Sequence, residues 1–397
     1  MVNTLDIGVL GYNARNAHSL QGKSTVVDCT GSLPFILRMR IASGLSLDLT
    51  MASQPPRLAP MPPLIHPSFA VSAVAFRRVI PSLIPSGFAL LILSLSPAPA
   101  SAEVNVVETV APQVYFHEGE ITGKGHCNNG WIIFEDYVVV IDANFPSGAK
   151  VILPKIRALT DKPIRFAFDT HHHGDHAYGN QIWHEAGAIP VAHSGAVVEM
   201  KKYEDKTFGG PLPGRWEEAA KNRPDVAASR LKVPTVLFNN ELFFDDGKVR
   251  VELLHFGVAH THGDGFAWLP KEKILFTGDA CVNGPFNYTG DGDIGEWIKT
   301  LRAAQTLGPK IICPGHGPKG GPEVLEDQIQ FFISVRDEAK ALLDAKKTPA
   351  EAKESVEKVI DRLRANPRIQ RYVGKYVAAQ LEKAWKELGG APFPQDQ

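Results

Sequence analysis

Between residues 113 and 314, short apolar runs alternate with stretches of helical periodicity. Residues 130–135 (GWIIFE) and 137–142 (YVVVID) are β-branched and aromatic runs separated by Asp136 alone, the pattern of a hairpin. Residues 149–159 place apolar side chains at helix spacing, although Pro154 removes a backbone donor inside the stretch. A strand follows over 164–168, then a helix after Asp175. Strands are predicted near 251–255, 266–269 and 274–276, a helix over 294–306, and a strand over 310–313. Such alternation, with antiparallel hairpins mixed in, predicts an α/β domain whose sheets are not purely parallel.

The pattern after residue 320 is helical. Leu325, Ile329, Phe332, Ala339 and Leu343 recur at helix spacing. Thr348-Pro349-Ala350-Glu351 is a capping box with proline at the first helical position. A third helix is expected to carry Ile369, Tyr372, Val373, Tyr376 and Trp385 and to stop at Gly389-Gly390. These stripes are packing surfaces, either onto the α/β domain or onto a second copy of the chain as a homodimer. Residues 201–232 interrupt the alternation; they are charged and contain Gly209-Gly210-Pro211 and Pro213-Gly214. An insertion of this kind either covers a pocket or lies solvated.

Composition separates off the beginning of the chain. The 397 residues carry 42 Lys+Arg against 43 Asp+Glu, and 44% are hydrophobic, enough for a packed core. The first 102 residues hold seven basic groups, three aspartates, no glutamate and 11 of the 30 prolines, a net charge of +4. The remaining 295 carry a net charge of -5. Residues 1–70 show no pattern of a folded domain, and are expected to be disordered or absent from the native product. Arg77-Arg78, the apolar residues 87–96 (GFALLILSLS) and Ala100-Ser101-Ala102 make the three parts of an export signal over 71–102. Its apolar part is too short to span a bilayer. Cleavage is expected after Ala102, placing the protein in the periplasm or outside the cell with no stable membrane insertion. Because export signals run ~15–30 residues, translation is expected to start at Met61 or near Val71. The acidic mature chain excludes nucleic acid as the main partner and leaves a small-molecule substrate.

Candidate chemistry concentrates in His171-His172-His173-Gly174-Asp175-His176, four of the fourteen histidines. They follow an apolar strand, so alternate side chains His171 and His173 share a face. The turn at Gly174 brings Asp175 and His176 toward a second position. Imidazole and carboxylate are the usual ligands of zinc. His260, Asp279 and His316 recur downstream, each expected at a strand end, where α/β folds collect chemistry. Seven such ligands are too many for one tetrahedral site and suit two ions.

The series His171-x-His173-x-Asp175-His176, His260, Asp279, His316 resembles the metallo-β-lactamase superfamily over roughly residues 112–320. The resemblance implies a four-layer αββα sandwich over 103–320, with 321–397 as a C-terminal helical extension. It implies that His171, His173 and His260 bind a first zinc, that Asp175, His176 and His316 bind a second, and that Asp279 bridges them. Asp142 matches the family's carboxylate that orients a ligand histidine. His172 is expected to point away from the metals. His262, two residues past a ligand, is a candidate for proton transfer.

Two zinc ions can share a water and hold it as hydroxide near neutral pH. The implied activity is hydrolysis of an ester, thioester, lactone or related bond, with Asp175 helping to orient the nucleophile. The superfamily's β-lactamases usually carry Cys or Ser where this chain has Asp279. Those with Cys commonly place a Lys three residues later, where Val282 stands. β-Lactam hydrolysis is therefore the alternative rather than the first reading. A flavodiiron oxidoreductase is disfavoured, because its second motif position is usually Glu and this chain has His173. Phe286, Asn287 and Tyr288 either line the substrate pocket or shape a turn. Cys281 and Cys313, both near ligand positions, either pair or are small buried residues.

Overall fold

The structure, a computed structural model, describes residues 37–40, 46–49, 104–204, 206, 210 and 213–395. The chain divides into two compact units, Met1–Leu93 and Ser94–Gln397. In the first, strands β1 (Leu37–Arg40) and β2 (Ser46–Leu49) form an antiparallel pair. The export signal and its cleavage point lie outside the described residues. No helix among the described residues is long and apolar enough to cross a membrane.

The second unit contains a seven-stranded sheet whose strands neighbour one another in chain order. These are β3 (Val107–Ala111), β4 (Val114–His117), β5 (Asn129–Ile133), β6 (Val138–Ile141), β7 (Ile164–Asp169), β8 (Ile189–His193) and β9 (Val236–Phe238). The first four are antiparallel and the last four parallel, β6 belonging to both runs. A five-stranded sheet comprises β10 (Glu241–Asp245), β11 (Arg250–Leu254), β12 (Phe266–Leu269), β13 (Ile274–Gly278) and β14 (Ile311–Pro314). It is antiparallel up to β13, which pairs with β14 in parallel.

The helices are α1 (Pro146–Arg157), α2 (Gly174–Ala177), α3 (Asn180–Glu185), α4 (Ser194–Glu199), α5 (Arg215–Asn222), α6 (Pro224–Ala227) and α7 (Ile294–Gln305). After the sheets come α8 (Glu323–Asp344), α9 (Pro349–Glu354), α10 (Val356–Arg364) and α11 (Val377–Glu387). Helix α1 starts three residues before the predicted segment because Pro146 occupies its first turn, where a missing N–H is harmless. Pro154 is tolerated inside it.

The two-residue repeat of the strands sorts their side chains between two apolar layers. Ile132, Val139, Ile141 and Phe168 pack with Val251, Leu253, Ile274 and Phe276, filling the space between the sheets. Their neighbours Trp131, Val138 and Val140 face outward onto Ile152 and Ile156 of α1 and Trp183 of α3. The outer face of the second sheet packs Trp268, Leu275 and Ile312 against Trp297 of α7 and Phe331 and Phe332 of α8. Four layers, αββα, result, as the resemblance implied. Because each sheet is covered on both sides, its central strands are near-continuous apolar runs such as Val138–Ile141.

The C-terminal helices bury their stripes on this chain. Leu325, Ile329, Phe332, Tyr372 and Trp385 all belong to the core that includes α7 and the second sheet. Of the two expected surfaces for these stripes, the α/β domain is the one they cover; a homodimer would need another. The capping box at Thr348 forms as predicted. The third helix does not run continuously: a 3₁₀ turn, Gln370–Tyr372, precedes α11, and Gly374 and Tyr376 lie between them. Gly374 is pressed against Pro285, where a Cβ would stand 2.6 Å from the proline ring. The break brings Lys375 and Tyr376 to the functional cavity.

Candidate metal centre

The ligand candidates sit on loops that leave one end of the sandwich. His171, His173, Asp175 and His176 follow β7 and enter α2; Asp142 follows β6; Asp279 follows β13; His316 follows β14. His260 lies in the loop from β11 to β12. The ends of the two sheets touch at Gly278, whose φ is +50° and whose Cβ would stand 2.2 Å from Thr170 Oγ1. Only glycine fits there, and the contact brings the β7 and β13 loops together.

One nitrogen each of His171, His173 and His260 converges within 4.8 Å, and so do donor atoms of Asp175, His176 and His316. Donor atoms of Asp279, His171 and His176 form a third such group, placing Asp279 between the other two. Its carboxylate stands 3.3 Å from His176 Nε2, 3.3 Å from His316 Nε2 and 3.7 Å from His260 Nε2. His171 Nε2, His176 Nε2 and Asp279 Oδ1 are buried without a hydrogen-bond partner. Buried polar atoms are ordinarily satisfied. Imidazole nitrogens and carboxylate oxygens, aimed together and otherwise unpartnered, fit a pair of divalent cations such as zinc.

Electrostatics agree with that fit. Burial keeps His171 well below its ordinary value, and pushes His260 down to about 3 with help from His173, so both offer neutral lone pairs. Burial alone would raise Asp175, but His176 and His316 outweigh it and hold the carboxyl at about 2. His316 moves the other way: against burial, Asp279 and Asp175 raise it to about 9.

Supporting groups fix the ligands. Asp142 Oδ2 lies 2.9 Å from His176 Nδ1, while Oδ1 accepts from the Thr170 backbone at 2.9 Å and hydroxyl at 2.7 Å. His260 Nδ1 is 2.9 Å from the Tyr288 carbonyl oxygen. Asn128, just before β5, donates to the carbonyls of Pro314 and Gly317 at 2.8 and 2.7 Å, holding the His316 loop to the first sheet. Sequence reasoning overlooked Asn128; its one signal is a run of polar residues, Asn128-Asn129, at the mouth of a strand otherwise apolar throughout.

A cavity of about 780 Å³ opens over this cluster. Phe286 and Tyr288 line it, whereas Asn287 does not. Asn287 is buried beneath the loop, its carbonyl accepting from Gln380 and its amide reaching Gly284. His262 is not brought to the cluster either. Asp264 caps the turn by accepting from the Thr261 N–H at 2.8 Å and hydroxyl at 2.7 Å, and His262 is left exposed, outside the cavity lining. His172 is buried and faces the insertion, with Nε2 3.5 Å from Glu204 Oε1.

Of the insertion's described residues, Glu204 and Arg215 form part of the pocket wall. A π-helical turn, Met200–Glu204, supplies Glu204, and α5 supplies Arg215; both line the cavity beside Tyr178. The Tyr178 hydroxyl donates to Glu204, and burial pushes that carboxyl up to about 7. Trp216 packs edge-on to Tyr178 at 4.7 Å between ring centres, pinning α5 beside the motif. From the far end of the chain, Lys375 and Tyr376 complete the wall near Tyr288. Cys127, Cys281 and Cys313 are free and buried, so Cys281 and Cys313 do not pair.

Comparison with known proteins points to one family. The metallo-beta-lactamase superfamily model matches residues 122–316. A metallo-beta-lactamase type 2 of Bacteroides fragilis is 31% identical over 113 residues, 27% of this chain and 45% of that enzyme. The alignment thus spans less than half of that relative's length. A metallo-beta-lactamase type 2 of Elizabethkingia meningoseptica is 22% identical over 57% of this chain and 84% of its own. Among solved structures, a metallo-beta-lactamase from Pontibacter korlensis aligns over 57% of this chain and 98% of its own, at 20% identity and a TM-score of 0.47.

Proposed function

Since the chain belongs to the metallo-β-lactamase superfamily over residues 122–316, we propose that it is a metal-dependent hydrolase acting on a small carboxylic ester, thioester or lactone. The observation that carries this reading is the convergence of His171, His173 and His260 with Asp175, His176 and His316 around Asp279. These seven side chains would hold two zinc ions, the first triad one and the second triad the other, with Asp279 shared. When bound, such ions polarise a carbonyl oxygen and acidify a water to near neutral pH.

The chain's own groups do the rest. Asp175 is ionised and lines the cavity, so it orients a water at the cluster as well as ligating. Asp142 and the Tyr288 carbonyl fix the rings of His176 and His260. Phe286, Tyr288 and Tyr376 offer aromatic faces to the apolar body of a substrate, and the volume suits a small molecule. No serine or cysteine nucleophile is required.

The β-lactam alternative has one observation in its favour. Val282 is buried and cannot grip a substrate carboxylate, but Lys375 stands at the cavity with its Nζ 5.0 Å from the Tyr376 ring. It supplies such a cation from the C-terminal segment. Export through residues 71–102 belongs to the same proposal, resting on the arginine pair, the apolar run and the Ala-Ser-Ala ending.

The test is a hydrolysis screen of zinc-loaded and chelator-treated protein across lactone, thioester, ester and β-lactam substrates. Zinc-dependent turnover fastest on an oxygen or thioester supports the first reading. Fastest turnover of a β-lactam replaces it with the second. No zinc-dependent hydrolysis of any class overturns both.

A further inference from the structure

Among its described residues, the insertion reaches the metal cluster through the Arg215–Asp291 ion pair. His173 Nδ1 faces into the cluster, 2.8 Å from His260 Nε2, while its Nε2 lies 2.7 Å from Asp291 Oδ2. Asp291 is in turn gripped by both arms of Arg215, Nη1 to Oδ2 at 2.7 Å and Nη2 to Oδ1 at 2.8 Å. Asp291 belongs to the loop between β13 and α7, and Arg215 opens α5, 76 residues away in the chain. The guanidinium also lies over the Tyr203 ring, 4.8 Å from its centre, and 3.4 Å from His172 Nε2.

We propose that Asp291 is the positioning residue for His173, and that Arg215 holds it there, so that the insertion sets the geometry of the first metal site. A carboxylate clamped by a bidentate arginine is an acceptor only. The imidazole must therefore carry its proton on Nε2, and that leaves the Nδ1 lone pair aimed at the cluster. Without Asp291 the two tautomers compete and the ring is free to turn. The second triad has its own support in Asp142, which reaches His176 from β6 and shares nothing with the insertion. The clamp thus acts on one site and not on the other. Its loss separates the two ions instead of weakening them together.

This inference rests on the proposed metal reading, and two measurements keep them apart. The first is zinc competition against a chromophoric chelator in the full chain, comparing wild type with Asp291→Ala and Arg215→Ala. Outer partners of ligand histidines contribute roughly 10–100-fold in affinity. One of the two zinc equivalents should weaken by that factor while the other stays within about twofold. The second is ¹⁵N NMR of the histidine rings in metal-free protein, where His173 should be the Nε2–H tautomer in wild type and a mixture in Asp291→Ala. Arg215→Lys, which keeps the charge but loses the fork, should fall between wild type and Arg215→Ala, and it serves if the alanine variants fail to fold. Equal weakening of both equivalents, or wild-type affinity with an unchanged tautomer, overturns the clamp. A wild-type chain that takes up no zinc overturns the metal reading, and the tautomer measurement then still decides the clamp.

Discussion

Asp142, just past the end of β6, and His176, in α2, meet at 2.9 Å, with Asp142 in the left-handed region at φ +64°. That backbone conformation is unfavourable for a residue with a Cβ and is best tolerated by Asn, Asp and Gly. The same carboxylate takes two hydrogen bonds from Thr170, which leads into the motif. One side chain therefore fixes both the turn and the ligand.

Asp142→Ala should lower zinc affinity at the Asp175, His176 and His316 site by roughly 10–100-fold. It should leave the His171, His173 and His260 site within a few-fold of wild type. Calorimetric titration with zinc, resolved into two steps, checks this; unchanged affinity at both steps contradicts it.

Zinc uptake should release protons. His176 is raised above its ordinary value by its neighbours, Cys127 first and then Asp142 and Asp279, while Asp279 and Asp175 outweigh burial and raise His316 to about 9, so the His316 nitrogens carry their protons in the metal-free protein at neutral pH. A cation that takes these nitrogens expels those protons. Affinity should accordingly rise with pH from 7 toward 9, the window set by His316. A pH indicator in weak buffer measures the release; uptake with no acidification would refute the account.

His193 stacks on His255 with ring centres 3.8 Å apart, its Nε2 2.9 Å from the Asn239 carbonyl and its Nδ1 accepting from Gly195 N–H. Both nitrogens are satisfied only while the ring is neutral, and burial together with His255 lowers it to about 4. The unfolded chain protonates near the ordinary histidine value of 6.5, so between 6.5 and 4 it binds more protons than the folded one. Stability should fall as pH drops through that window. Replacing His193→Gln should flatten the dependence in urea unfolding curves, and a slope identical to wild type would count against it.

Gly130 on β5 lies under Phe276 of β13, where a Cβ would stand 2.3 Å from the ring. Both residues are buried between sheets, so Gly130→Ala forces one sheet off the other. Overpacking of this kind costs roughly 1–3 kcal/mol. Thermal unfolding should show a drop in midpoint of several degrees; a midpoint equal to wild type would show that the sheets yield freely.

Much of this protein is legible along the chain because its signals are local. Strand runs such as Val138–Ile141 stand out because both sheet faces are covered. The capping box at Thr348 follows from four adjacent residues. The candidate metal ligands show because divalent cations such as zinc accept few residue types, and the first four lie within six positions. By itself, then, the sequence determined the α/β class and the seven candidate ligands, while Asp142 came with the family resemblance.

Tertiary structure decided what depends on contacts between distant segments. Nothing along the chain joins Asp291 to Arg215, 76 residues away, or both to His173. The same holds for Glu204, for Lys375 exposed by a helix break against Pro285, and for His262, turned outward by the Asp264 cap. Periodicity reports which face of an element is apolar. It says nothing of which two polar side chains, carried on different loops, meet across a cavity, because that meeting is set by how the layers pack.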